Sequence, residues 1–192
     1  GSGTLCLDLF RAALLAHLLF LWLLGWKVCS EFVELCFGDF ASAWHHGFDV
    51  GFDSGFYVGT WASSIDFSGG LELDYYAGFG GSISDSVSYD IGYLFYGYPQ
   101  GPSSEEFEEF YGSISFSDAT VGFAYSDDYY ASTGESTYIY LDYGFDVSED
   151  FSLGFHFGTM EADDPANEAD DYSISLSTEA AGLGFDLSWL DS

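Results

Sequence analysis

Beyond Lys27 the chain contains neither lysine nor arginine. Its only two basic residues, Arg11 and Lys27, stand against 32 acidic ones, for a formal charge of -30. Binding to nucleic acid is excluded, because neutralising phosphates requires lysine and arginine. Anionic headgroups are repelled for the same reason, and cations are favoured, bound or screening. Within the sequence after Lys27, histidine is the one available ionic partner for a carboxylate. Cysteine is also scarce: Cys6, Cys29 and Cys36 are the three present, an odd number at uneven spacing that makes no disulfide framework. No pattern of metal ligands accompanies Cys29 and Cys36.

What the chain does have is aromatic and small residues. Phe (20), Tyr (15) and Trp (5) make up 21% of 192 residues, beside 24 glycines. A disordered acidic tail is poor in aromatics and in apolar residues generally, whereas this chain is 48% hydrophobic. Two regions of different character meet near residue 37. Residues 1–37 form an apolar N-terminal segment in which Ala12 to Trp26 is nearly uninterrupted apolar sequence between Arg11 and Lys27. Three readings of it compete: a secretory signal with Arg11 as its basic flank, a retained interfacial or membrane helix short for a full span, or aberrant sequence. Residues 38–192 form the second region, a β-barrel domain.

In that region the hydrophobic period is two. Leu71, Leu73, Tyr75, Ala77 and Phe79 alternate with Glu72, Asp74, Tyr76 and Gly78. The same alternation runs through residues 87–96, 137–146, 151–158 and 183–189, each a strand with one apolar and one polar face. Turn signals punctuate them at Asp53-Ser54-Gly55, Ser68-Gly69-Gly70, Pro99 to Pro102, Ser132-Thr133-Gly134 and Ser148-Glu149-Asp150, with a longer acidic connection from Glu161 to Asp171. The expected fold is all-β, an antiparallel up-and-down transmembrane barrel of about 10–12 strands, preceded by a short apolar helical segment.

Alternation alone also fits a soluble sandwich or barrel. Side-chain size separates the two, because small residues suit the concave face of a closed sheet and bulky ones the convex face. The lipid-facing set is then Leu71, Leu73, Tyr75, Tyr89, Ile91, Tyr93, Phe95, Ile139, Leu141, Phe145, Leu153, Phe155, Phe157, Leu183, Phe185, Leu187 and Trp189. The pore-lining set is Glu72, Asp74, Asp90, Asp142, Asp146, His156 and Asp186. Trp61, Tyr129, Tyr130 and Trp189 suit interfacial girdles, and Tyr76, Tyr96, Tyr138 and Tyr140 have the bulk to plug a lumen.

The stretch GFDVGFDSGFYVGTWASSIDF (Gly47–Phe67), followed by LELDYYAGFGG, SVSYDIGYLFYGYP, FYGSISF, VGFAYSDDYY and YIYLDYGFDVSEDFSLGFHFG, resembles the TorF-like family of bacterial outer-membrane porins over residues 38–191. The resemblance implies an outer-membrane barrel. Three departures stand beside it. Only Ser30 to Val33 echoes the family's first strand, the chain stops at Ser192 where members continue into one more strand, and lumenal lysine and arginine are missing. An unpaired edge in lipid is costly, so the departures leave open a truncated chain, closure with a different strand count, or self-association through an edge.

No catalytic constellation is present. His45 and His46 read as a polar edge, with a metal role as the sharper alternative. Glu105, Glu106, Glu108 and Glu109, and Glu161, Asp163 and Asp164, read as solvated loop charge, with calcium or another divalent cation as the alternative. Three functions remain. The first is a bilayer-embedded porin passing small cations or polar solutes through an acidic lumen. The second is a non-conducting surface barrel with cation-binding loops, and the third a soluble halophile-like acidic protein.

Overall fold

The computed structural model describes residues 4–10, 27–37, 42–66, 70–180 and 183–191. Twelve antiparallel strands form one closed up-and-down barrel. They are β1 (Thr4–Phe10), β2 (Lys27–Phe37), β3 (Ser42–Gly51), β4 (Phe56–Ser64), β5 (Leu71–Ser84) and β6 (Val87–Gly97), then β7 (Phe107–Phe116), β8 (Ala119–Ser126), β9 (Ser136–Asp146), β10 (Phe151–Ala162), β11 (Ala169–Ala180) and β12 (Leu183–Asp191). Each strand pairs with its chain neighbours, and β1 pairs with β12 from Thr4↔Leu190 to Leu9↔Phe185. The open edge anticipated from the sequence is therefore paired. The helical N-terminal segment is corrected at both its ends, because Thr4–Phe10 and Lys27–Phe37 are strands of the sheet. Its apolar centre, Ala12 to Trp26, lies outside the described residues. The acidic connection expected over Glu161–Asp171 shrinks to residues 163–168, because the β10–β11 ladder continues to Met160↔Ala169.

The connections differ between the two ends. At one end the described connections are short: residues 52–55, 85–86, 117–118 and 147–150. Gly55 shows why a small residue is needed there: its φ is +93°, and an added Cβ would collide with the Gly80 carbonyl. At the other end, residues 98–106 and 127–135 are longer and carry one-turn 3-10 helices at Ser103–Glu105 and Tyr130–Ser132.

Outward positions carry the bulk. Phe110, Phe116, Ile91, Ile139, Phe157 and Tyr75 are all more than half exposed. Among the described side chains, the acids on the outward face are Glu108, Glu161, Asp170 and Asp191, each at a strand end on the long-loop side or one position from it. Among the described side chains the outward face is thus an uncharged belt with an acidic margin; Glu31 of β2, opposite Phe48, also stands on outward parity. Strands of this length, tilted as barrels require, give such a belt a height of about 25 Å.

Inward positions carry Gly, Ser, Asp and Tyr, and the glycines have a specific use. In the ladder, Tyr57 is opposite Gly78, Gly78 opposite Gly92, and Gly92 opposite Tyr111. The Tyr57 ring lies over Gly78 and the Tyr111 ring over Gly92, so the two phenols approach each other along the wall, over the β5–β6 seam. Gly59 seats the Tyr76 ring and Gly122 the Tyr140 ring in the same way. A methyl group at any of these glycines overlaps the ring. Gly144 faces inward too, but a Cβ there meets only the Leu153 carbonyl, at 3.6 Å. Replacing Gly92 by Ala should therefore lower unfolding free energy by about 1–3 kcal/mol, the usual cost of overpacking, with Gly144→Ala near neutral. Urea unfolding of both variants in detergent tests this, and equal shifts would refute the seating argument.

Candidate lumenal site

The inward wall solves a problem posed by composition: carboxylates without lysine or arginine need other donors. Tyrosine supplies them through one repeated arrangement. Tyr57 on β4 reaches across Gly78 on β5 and donates to Asp90 on β6 at 2.6 Å. Tyr76 on β5 reaches across Gly59 on β4 and donates to Asp49 on β3. Tyr138 on β9 reaches across Gly158 on β10 and donates to Asp171 on β11 at 2.9 Å. In each case the middle strand contributes a glycine because a side chain there would block the ring. The Tyr57 and Tyr111 hydroxyls are 2.7 Å apart, joining β7 to the first group. Hydrogen bonds to ionised acceptors are shorter and stronger than neutral ones, each contributing about 1.5–3 kcal/mol.

His156 is held between two carboxylates. Its Nδ1 lies 2.6 Å from Asp142 and its Nε2 2.9 Å from Asp171, with the Tyr138 hydroxyl 2.8 Å from Nε2. The Tyr140 ring stacks on it at 5.9 Å. The Asp142 side chain is 46% exposed, so this group is in contact with solvent inside the barrel. Towards the short-turn end, serines are the donors: Ser152 to Asp146 at 2.7 Å, and Ser177 and Ser188 to Asp186.

The long-loop end is drier. Tyr98, just past β6, is 3% exposed and Phe107 6%; these are the two buried large apolar side chains among the described residues. Tyr96 stacks on Phe107 at 4.2 Å and donates to Glu109 at 2.9 Å. Tyr98 donates to Glu72 at 2.7 Å and meets the Tyr130 ring edge-on at 5.6 Å. Tyr129 packs on Phe107 at 4.6 Å. The loop that brings Tyr129 and Tyr130 over the mouth contains two consecutive non-glycine residues in the left-handed region, Ala131 (φ 60°) and Ser132 (φ 56°). Burial, then the hydrogen bond and charge of Glu72, push the Tyr98 phenol well above its ordinary value. Burial and the nearby Glu109 and Glu72 raise Tyr129 as well.

All seven residues proposed from sequence as pore-lining occupy inward positions, but not one setting. Asp142 and His156 are together; Asp90, Asp146 and Asp186 each bind a Tyr or Ser hydroxyl. Glu72 belongs to the long-loop mouth, where Asp74 is only 4% exposed and so is not presented to lumenal water. The proposed lipid-facing residues fall on the opposite parity; Leu183 lies in β12, with its side chain outside the described set. Three placements are corrected. Trp61 sits opposite Asp74 on inward parity, and Tyr129 and Tyr130 pack inward over the mouth instead of forming an outer girdle. Glu109 is likewise no loop charge but an inward strand residue. His46 is exposed on β3, and among the described residues no group of His, Cys, Asp and Glu has an arrangement that holds a metal ion. Sequence reading missed Asp49, Tyr57, Tyr111 and Asp171, although Tyr on an otherwise Gly/Asp face was a usable signal.

An up-and-down β-barrel with apolar outside and polar inside is the architecture of porins. The chain belongs to the family described as "Bacterial protein of unknown function (Gcw_chp)", whose profile matches residues 37–192. Among solved structures it is similar to the KdgM porin, with a TM-score of 0.56 at 10% identity over 99% of this chain and 98% of that one. The KdgM porin in complex with disordered oligogalacturonate gives a TM-score of 0.55 at the same identity and coverage. What is shared at this identity is the fold. No curated protein matches the chain.

The raised tyrosines give a spectroscopic expectation. A phenol whose folded value exceeds its unfolded value of 10.0 favours the fold below pH 10 and loses that contribution as pH rises towards its folded value. Tyrosinate absorbance should therefore show late-titrating phenols in folded protein, one fewer in Tyr98→Phe. Complete ionisation near the ordinary value while the barrel stays folded would contradict the burial of this mouth.

Proposed function

We propose that this chain is an outer-membrane barrel that passes small cations through its acidic lumen. The observation that carries the reading is the way the tyrosine rings lie. A closed sheet of twelve strands has a backbone diameter of about 24 Å from strand spacing and tilt. Rings projecting from that wall would obstruct it, but the glycine seats hold Tyr57, Tyr76, Tyr111 and Tyr140 flat along the sheet. What faces the axis is then hydroxyl and carboxylate, with Asp142 about half exposed. With no fixed positive charge after Lys27, the lumen favours cations over anions. The uncharged outer belt fits a bilayer, and the resemblance to TorF-like porins and the porin fold of KdgM point the same way.

A second reading has its own observation. The aromatic packing of Tyr98, Phe107, Tyr129 and Tyr130 narrows the long-loop mouth, which favours a barrel with no conducting path. Planar-bilayer conductance of the refolded protein under a KCl gradient separates the two. The porin reading expects stable, cation-selective steps, with reversal potential moving towards zero in the Asp90→Asn, Asp142→Asn double variant. Silence from folded, inserted protein would favour the second reading, and unchanged selectivity in the variant would remove those residues from the conduction path.

A further inference from the structure

The long-loop mouth contains more than a constriction. A cavity of about 290 Å³ opens there, walled by Tyr96, Tyr98, Phe107 and Tyr129, with the carboxylates of Glu72 and Glu109 at its sides. We propose that this cavity is a binding site for a small organic ammonium ion. The proposal rests on the reading of an acidic, cation-preferring lumen and gives it a substrate class.

Two features select that chemistry. The first is the wall. Aromatic faces attract cations through the ring quadrupole, and the attraction strengthens where water is excluded. This mouth holds the two buried large apolar side chains of the described protein. A hydrated metal ion gains little from such a wall, and no metal-holding group is present among the described residues. The second is unmet demand for a donor. Three enclosed side-chain polar atoms among the described residues have no hydrogen-bond partner in the protein: Asp74 Oδ1, Glu105 Oε2 and Ser126 Oγ. All three are at this end. Asp74 faces inward between the Glu72 and Tyr76 positions of β5 and is 96% buried, being 4% exposed. Glu105 closes the 3-10 turn at Ser103–Glu105, which packs against the turn carrying Tyr130. None of these three atoms lines the cavity itself, but the Asp74 carboxylate acts electrostatically on Tyr96 and Tyr98, which do; a cation held there, beside Glu72 and Glu109, answers both the negative charge and the aromatic wall. A neutral sugar answers only the wall, and an anion is repelled.

The test is equilibrium dialysis of radiolabelled choline against the full chain folded in detergent, at constant ionic strength. Saturable one-site uptake is expected, displaced by tetramethylammonium far more effectively than by KCl. Glu109→Gln and Tyr129→Leu should each weaken it about tenfold, whereas Glu149→Gln at the opposite end should leave it unchanged; circular dichroism checks that each variant is folded. Unsaturable uptake, or equal displacement by KCl and tetramethylammonium, would mark diffuse counter-ions and overturn the proposal. Uptake unaltered in folded Glu109→Gln and Tyr129→Leu would overturn it too. The unaltered protein alone supplies the competition result if a variant does not fold. Conductance of the same preparation keeps the two readings apart: current without binding sinks the site and spares the pore, and binding without current does the reverse.

Discussion

A carboxylate inside a closed sheet needs a hydrogen-bond donor, and beyond Lys27 this chain has no lysine or arginine to supply it. The arrangement of Tyr, Gly and Asp on three successive strands is the response, seen at Tyr57–Gly78–Asp90, Tyr76–Gly59–Asp49 and Tyr138–Gly158–Asp171. Each component depends on the others. Without the glycine the ring has no room; without the ring the hydroxyl cannot reach the strand beyond; without the carboxylate the phenol is an amphipathic group pressed against a polar wall. Because the arrangement links three strands, it also fixes register. A slip of one residue would turn Tyr and Asp outward and the Phe and Ile positions inward.

The same constraint divides the lumen into zones. Where the donors are serines, as around Asp146 and Asp186, side chains are short and the wall is open. Where they are tyrosines seated on glycine, the wall is thick but still lined by hydroxyls and carboxylates. At the long-loop mouth Tyr96 and Tyr98 still donate to Glu109 and Glu72 but no longer lie over glycines on the neighbouring strand. Their rings pack against Phe107 and Tyr130 instead, and the space between them becomes the driest in the barrel. A polar wall and an aromatic pocket thus arise from one residue type according to what sits opposite it.

Much of this was legible in the sequence because strand parity is a local property. The alternation at Leu71–Phe79 or Thr137–Asp146 assigns each residue to a face without knowledge of its neighbours, so the inward positions of Glu72, Asp90, Asp142 and His156 could be read directly. Contacts that depend on register could not. That Tyr57 is opposite Gly78, and Gly78 opposite Gly92, follows from turn lengths and bulges such as the one between Ser82 and Ser84, and these are weakly encoded. Trp61 was misplaced as a girdle residue because aromatic identity was weighed above its parity with Tyr57 and Gly59. Tyr129 and Tyr130 were misplaced because loop residues have no parity at all, and their direction is set by the left-handed turn at Ala131 and Ser132. The apolar N-terminal segment was read as helical from its leucine content, whereas strand pairing with β12 and β3 governs its described ends.

The scarcity of basic residues also bears on how the lumenal carboxylates are held. In a wall of paired acids and bases, removing one partner leaves the other buried and charged, at considerable cost. Here the partners of Asp49, Asp90 and Asp171 include neutral phenols. Breaking the bond between Asp90 and Tyr57 leaves a neutral phenol and no stranded cation. His156 differs, since its ring lies between two carboxylates, Asp142 and Asp171, and joins β9 to β11 through them. Among the described residues, the β9–β11 face is therefore where lumenal charge and side-chain geometry meet in a single ring, whereas Asp90, Asp146 and Asp186 are held by neutral hydroxyls.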